Sequence, residues 1–195
     1  ILDKVSKKQP IICLTSYTAP IAKIADKFAD IILVGDSVGP VLYGLESTKK
    51  VSLQMMIEHA TAVVKSTKKA LIAVDMPFGS YEENEMMAYE NAKKIITETG
   101  ADAVKVEGGE KISSTLKYLT EKGILVIGHI GMLPQSCDGK YAVYGKSDLQ
   151  KKQIFRDLKI LEEAGVFLIV LECILEKLAK ELSLIHISEP TRQPC

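Results

Sequence analysis

Six short apolar runs punctuate the chain, and each closes on a polar or charged residue. Residues 11–14 close on Thr15, 31–35 on Asp36, 71–74 on Asp75, 103–106 on Glu107, 124–128 on His129 and 167–171 on Glu172. Runs of this length, apolar at nearly every position, read as strands of a parallel sheet covered on both faces. The intervening stretches carry apolar residues at helical spacing. Helices are predicted over 19–28, 52–67, 83–98, 110–122 and 147–164, with a sixth starting at 174 and running to 182. Ser52 is placed to cap the second, and Gly100, Gly123 and Gly165 to end the next three. Alternating strands and helices imply a parallel sheet with right-handed crossovers.

Two parallel architectures compete. An open doubly wound sheet usually carries a glycine-rich turn after its first strand. Here that turn reads Thr15-Ser16-Tyr17-Thr18-Ala19-Pro20, without glycine. A βα barrel of the (β/α)8 TIM type is the better reading. Its units repeat every ~31 residues, so eight would need ~250, whereas about six are counted here. The expected organisation is an incomplete barrel domain over 1–181. Residues 182–192 read LSLIHISEPTR, a string matching the translation of a sequencing adapter, so 182–195 is expected to be a non-native tail.

Composition narrows the function classes. The formal net charge is zero, which gives no electrostatic case for nucleic acid or an anionic membrane. No apolar run approaches the ~20 residues of a membrane span, and the first residues do not form a secretory signal. The cysteines at 13, 137, 173 and 195 lack metal or redox spacing. Cys13 and Cys173 are expected as buried thiols, and the setting as reducing and cytoplasmic.

Chemistry is expected at the strand ends, where barrel enzymes gather reactive groups. Asp36 and Ser37 follow the second strand and could instead cap a turn. Asp75 precedes Met76-Pro77, and the proline keeps Met76 extended. Lys105 and Glu107 share one face of their strand, and buried charges there need a partner or a metal. His129 lies between glycines. Glu172, after five apolar residues, is expected to be partly desolvated and suited to general-base work. His59 is expected on a helix surface or in packing, and the methionine pairs 55–56 and 86–87 as core filler. Tyr144-Gly145-Lys146-Ser147 misses the phosphate-loop spacing, because Lys140 stands where glycine is needed. Several acidic groups at neighbouring strand ends suit Mg²⁺. A 2-oxo acid chelating it would be activated for carbon–carbon bond chemistry through an enolate.

The strings LTSY (14–17), LVGDSVG (33–39), ESTKKVSLQMMIEHATAV (46–63), VDMPFGSY (74–81), VKVEGGE (104–110), GHIGMLPQS (128–136) and LIVLEC (168–173) resemble the ketopantoate hydroxymethyltransferase family. The likeness runs from about residue 3 to about 181. It implies a barrel of the phosphoenolpyruvate/pyruvate-binding kind that uses Mg²⁺. It also implies transfer of a hydroxymethyl group from 5,10-methylenetetrahydrofolate to 3-methyl-2-oxobutanoate, giving 2-dehydropantoate for pantothenate synthesis. By the same likeness Asp36 and Asp75 are metal ligands, with Glu107 reaching the ion through water. Asp36, Ser37, Asp75, Lys105 and His129 meet the substrate, and Glu172 removes the C3 proton. Large homo-oligomers, often decamers, are implied. The chain departs from the family pattern at Leu133, where a threonine is usual, and in the loop 137–145. Two rivals remain: a Mg²⁺-dependent 2-oxo-acid lyase of the isocitrate lyase/phosphoenolpyruvate mutase kind, whose KKCGH-like loop is absent, and an inactive truncated fragment.

Overall fold

The structure is a computed structural model describing residues 1–137 and 142–185. The chain divides into two compact units, Ile1–Lys105 and the residues from Val106 onward. Strand β4 is shared between them.

In the first unit a short helix, α1 (Leu2–Ser6), precedes β1 (Cys13–Thr15), α2 (Ala19–Ala25) and β2 (Ile31–Val34). Then come α3 (Val38–Tyr43), α4 (Leu53–Val64), β3 (Leu71–Asp75), α5 (Glu85–Thr99) and β4 (Ala103–Glu107). The strands lie side by side in sequence order and parallel, with Cys13 opposite Ile31, Ile31 opposite Leu71 and Ala73 opposite Ala103. The core is β2, β3 and β4 with one stripe from each main helix. Met56, Ile57, Ala60 and Val63 face inward from α4, and Ala88, Ala92 and Ile95 from α5. Burying each methionine, isoleucine or valine side chain among these contributes about 1.5–3 kcal/mol, and each alanine less. Caps fix where the helices begin. Ser52 Oγ accepts the Met55 N–H at 3.2 Å, as expected, and Asn84 Oδ1 accepts that of Met87 at 2.8 Å.

The second unit holds the end of β4, α6 (Ser113–Glu121), β5 (Val126–Gly131), α7 (Asp148–Glu163), β6 (Leu168–Glu172) and α8 (Glu176–Ile185). Strand β5 pairs in parallel with β6, His129 opposite Val170 and Gly131 opposite Glu172. Leu116 and Leu119 of α6 and Ile154, Leu158 and Leu161 of α7 are buried. Ser147 caps α7 through the Gln150 N–H, so this serine has a structural role in a segment that sequence spacing had already separated from phosphate binding. Helix α8 runs past the expected boundary at 181, and Leu182 is buried. The rest of the expected tail, 186–195, lies outside the described residues, as do 138–141 of the divergent loop.

Three expectations need correction. Burial on both faces holds for β3 and β4 but not for β1, which is exposed, or β6, which is half-buried throughout. Among the described residues each of those two strands pairs along one edge alone, with β2 and β5 respectively. For the same reason Cys13 is exposed, and Cys173, just past the end of β6, is exposed too, so neither is a buried thiol. Met56 is core, but Met86 is 62% exposed at the first turn of α5.

Candidate active site

In the first unit the groups at the strand ends converge. Asp75 is the last residue of β3, and the register sets it opposite Lys105 on β4. Lys105 Nζ lies 2.6 Å from Asp75 Oδ1, and the Asp36 N–H donates to Asp75 Oδ2 at 3.0 Å. Asp36, Asp75 and Lys105 are each at most 5% exposed. Charges so deeply withdrawn from water persist only when paired, and losing one partner costs about 3–5 kcal/mol. Gly35 leaves room for the arrangement. A Cβ there would stand 3.0 Å from Ser37 Oγ and 3.4 Å from Asp75 Oδ2. After Asp75 the chain stays extended through Met76, whose N–H donates to Lys105 O. It turns at Pro77 and starts no helix until Glu85.

Ser37 stands at the N-cap position of α3 but makes no side-chain cap. Its hydroxyl meets the Tyr17 hydroxyl at 2.7 Å. The capping alternative for Ser37 is therefore not what its side chain does.

In the second unit His129 on β5 lies between two carboxylates. Its Nδ1 is 3.6 Å from Glu107 Oε1 and its Nε2 is 3.2 Å from Glu172 Oε2. Glu107 Oε2 accepts the Gln135 N–H at 3.0 Å. Glu107 and His129 side chains are almost fully buried, whereas that of Glu172 is 36% exposed, in keeping with the partial desolvation expected of it. The Met132 N–H donates to the Glu172 carbonyl. At Gly131, whose φ is +99°, a Cβ would collide with that same carbonyl oxygen. A bare, left-handed backbone on β5 therefore holds the end of β6.

Asp36, Asp75 and Lys105 are thus gathered in one unit, and Glu107, His129 and Glu172 in the other. Glu107, expected as a third metal carboxylate, has its oxygens turned to Gln135 and His129. Among the described residues no group of three or more His, Cys, Asp and Glu side chains is arranged to hold a metal ion. The two buried carboxylates of Asp36 and Asp75 nevertheless fit Mg²⁺, a hard ion often held by one or two carboxylates with water and substrate oxygens as its other ligands. Tyr17, Gln135 and His59 were not read as site residues. Tyr17 and Gln135 lie inside the strings LTSY and GHIGMLPQS, which was the available signal. His59 gave none beyond its place on α4.

A model of the ketopantoate hydroxymethyltransferase family matches residues 1–189. The chain belongs to this family. The 3-methyl-2-oxobutanoate hydroxymethyltransferase of Anaplasma marginale (strain St. Maries) is 51% identical over 187 residues, which cover 94% of this chain and 67% of the relative. The protein of that name from Rhizobium rhizogenes is 45% identical over 184 residues, 93% of this chain and 67% of the relative. The chain thus spans about two thirds of the length of these relatives. Among solved structures it resembles a phosphonopyruvate hydrolase complexed with oxalate and Mg²⁺, with a TM-score of 0.68 at 15% identity, covering 97% of this chain and 67% of that one. It also resembles 2,3-dimethylmalate lyase, a phosphoenolpyruvate mutase/isocitrate lyase superfamily member, with a TM-score of 0.66 at 13% identity, covering 95% and 67%. At such identities the likeness establishes the fold, a βα barrel class of which six βα strands are described here. The ketopantoate hydroxymethyltransferase name rests on the sequence relatives, which are transferase enzymes. No helix among the described residues is long and apolar enough to cross a membrane.

Proposed function

We propose that this chain carries the machinery for moving a hydroxymethyl group from 5,10-methylenetetrahydrofolate to 3-methyl-2-oxobutanoate, forming 2-dehydropantoate for pantothenate synthesis in the cytoplasm. The observation that carries the reading is the buried Asp75–Lys105 pair with the Asp36 N–H on the same carboxylate, in a member of this family. Asp36 and Asp75 would hold Mg²⁺, which supplies Lewis-acid polarisation of a 2-oxo acid. Lys105, its charge already desolvated, offers an ammonium group to the substrate's carboxylate or oxo oxygen. The Ser37 hydroxyl, fixed by Tyr17, offers a second donor. His129, with its Nδ1 beside Glu107 and its Nε2 3.2 Å from Glu172, donates or accepts at Nε2 and orients Glu172. Glu172 takes the proton from C3 of the oxo acid, C3 bonds to the methylene carbon as that carbon's two bonds to folate nitrogens break in turn, and water supplies the hydroxyl oxygen as tetrahydrofolate leaves. Lysine, histidine and serine donors arranged in advance lower the barrier without reorganising during the step.

The lyase alternative loses ground, because the solved structures of that kind which the chain resembles share 11–15% identity with it, against 45–51% for the hydroxymethyltransferases above. The exposed apolar residues Ile21 and Ile24 of α2, 51% and 56% exposed, with Phe28 64% exposed just past its end, support a homo-oligomer, to be sized by light scattering. The enzymatic reading is tested by deuterium exchange at C3 of 3-methyl-2-oxobutanoate with Mg²⁺ and no folate. Exchange is expected in the wild type and its loss in Glu172→Gln. A wild-type protein that exchanges no deuterium refutes the reading.

A further inference from the structure

We propose that His59 is a positioning residue that sets the Ser37 hydroxyl through Tyr17. Its importance for substrate rests on the function proposed above, while the coupling itself rests on geometry alone. His59 is half-buried on α4, beside the fully buried Met56, Ala60 and Val63. Its Nδ1 lies 2.7 Å from the Tyr17 carbonyl oxygen and its Nε2 lies 2.9 Å from the Tyr43 hydroxyl. A carbonyl only accepts, so Nδ1 carries the proton, and in the neutral ring Nε2 accepts from Tyr43. The Tyr43 and His59 rings also meet edge to face, with centroids 5.6 Å apart and an 84° interplanar angle.

The bonds close a ring around α3. Ser37 precedes the helix and is held by the Tyr17 hydroxyl, while Tyr43 ends it and is held by His59, which in turn grips the Tyr17 backbone. Six residues are far too few for a helix that stands alone, so tethers at both ends decide where α3 sits. Tyr17 itself lies between β1 and α2, with no regular structure to fix it. His59 supplies that anchor, because α4 is packed into the core along its whole length. A surface or packing histidine would need neither bond.

The two ring nitrogens make the idea separable from a general structural role. The amide N–H of asparagine falls near the position of Nδ1–H, and that of glutamine near Nε2. His59→Asn therefore keeps the grip on Tyr17, whereas His59→Gln loses it and keeps only Tyr43. In the free protein, nitrogen-15 NMR is expected to show His59 as the Nδ1–H tautomer. The Ser37 amide resonance is expected to shift in His59→Gln and in Tyr17→Phe, and to stay in place in His59→Asn. An Nε2–H tautomer, or a Ser37 resonance indifferent to His59→Gln, overturns the coupling whatever the protein catalyses. In the C3 exchange assay, His59→Gln is expected to raise KM for the oxo acid about tenfold, the equivalent of one lost hydrogen bond, with kcat within about twofold. His59→Asn should restore KM. A loss shared equally by both variants, or one confined to kcat, overturns the positioning role. If the wild type exchanges nothing, the proposed reaction fails while the NMR result still decides the coupling.

Discussion

At the scale of single residues, the strand-end rule, with strand alternation for Lys105, located six ionisable groups that the structure gathers in two clusters, buried except for the half-exposed Glu172. It worked because a charge at the end of an apolar run has nowhere to go but a pairing or a ligand. It could not supply Tyr17 or His59, since their bonds join a loop carbonyl to a helix 42 residues away in sequence, and no local pattern encodes such a meeting. Asp75→Asn removes the charge that balances Lys105. The variant is expected to lose about 3 kcal/mol of stability and to bind Mg²⁺ more weakly, measured by thermal melting and calorimetry. Unchanged Mg²⁺ affinity would remove Asp75 from the ligand set. Gly35→Ala should be milder in the melt, yet it pushes a methyl group toward Ser37 Oγ and Asp75 Oδ2. C3 exchange is expected to fall more than stability does.

At the scale of elements, the main strands and helices were legible because their apolar spacing is regular and their caps are conventional. Helix α3 was not. Val38-Gly39-Pro40-Val41-Leu42-Tyr43 carries glycine and proline in its first turn and reads as a loop. Gly39 is there for space, since a Cβ would come within 2.6 Å of Val51. Packing between elements leans on the same economy at Gly128, where a Cβ would overlap the Leu161 side chain of α7. Gly128→Ala is expected to cost about 1–3 kcal/mol through overpacking, read from denaturant unfolding. Elements are also joined by charge. Asp26, at the C-cap of α2, accepts N–H groups from Lys68, Lys69 and Ala70 just before β3. The bond from Ala70 most of all, with those from Lys69 and Lys68, holds its carboxyl below the ordinary value. A depressed carboxyl stabilises the fold above its unfolded pKa of about 3.9 and loses that contribution as pH falls through the lower folded value. Asp26→Asn should flatten the acid limb of the stability curve and leave its neutral plateau lower. An acid limb unchanged in the variant would show that this junction does not depend on the carboxylate.

At the scale of the whole molecule, the order of strands followed from the βα alternation, but the covering of each strand did not. Hydrophobic periodicity reports that a segment is apolar and is silent on how many neighbours it will find. Strands β1 and β6 show the gap: the runs that predict them, 11–14 and 167–171, are as apolar as that of β2, yet the strands are exposed or half-exposed in the fold. Hydrogen exchange should rank them accordingly. Amides of β2 and β3 are expected to be better protected than those of β1, and amides of β5 better than those of β6. Equal protection across all strands would mean that β1 and β6 are covered in solution. The turn that follows β6 has a practical side. Cys173 holds a φ of +50° without being glycine, a conformation that costs an L-residue about 1–2 kcal/mol, and its thiol is open to solvent. Cys173→Gly would shed one oxidisable group from the molecule's surface at little or no cost in melting temperature, leaving Cys13 as the other exposed thiol among the described residues, whose oxidation in storage could then be followed by itself.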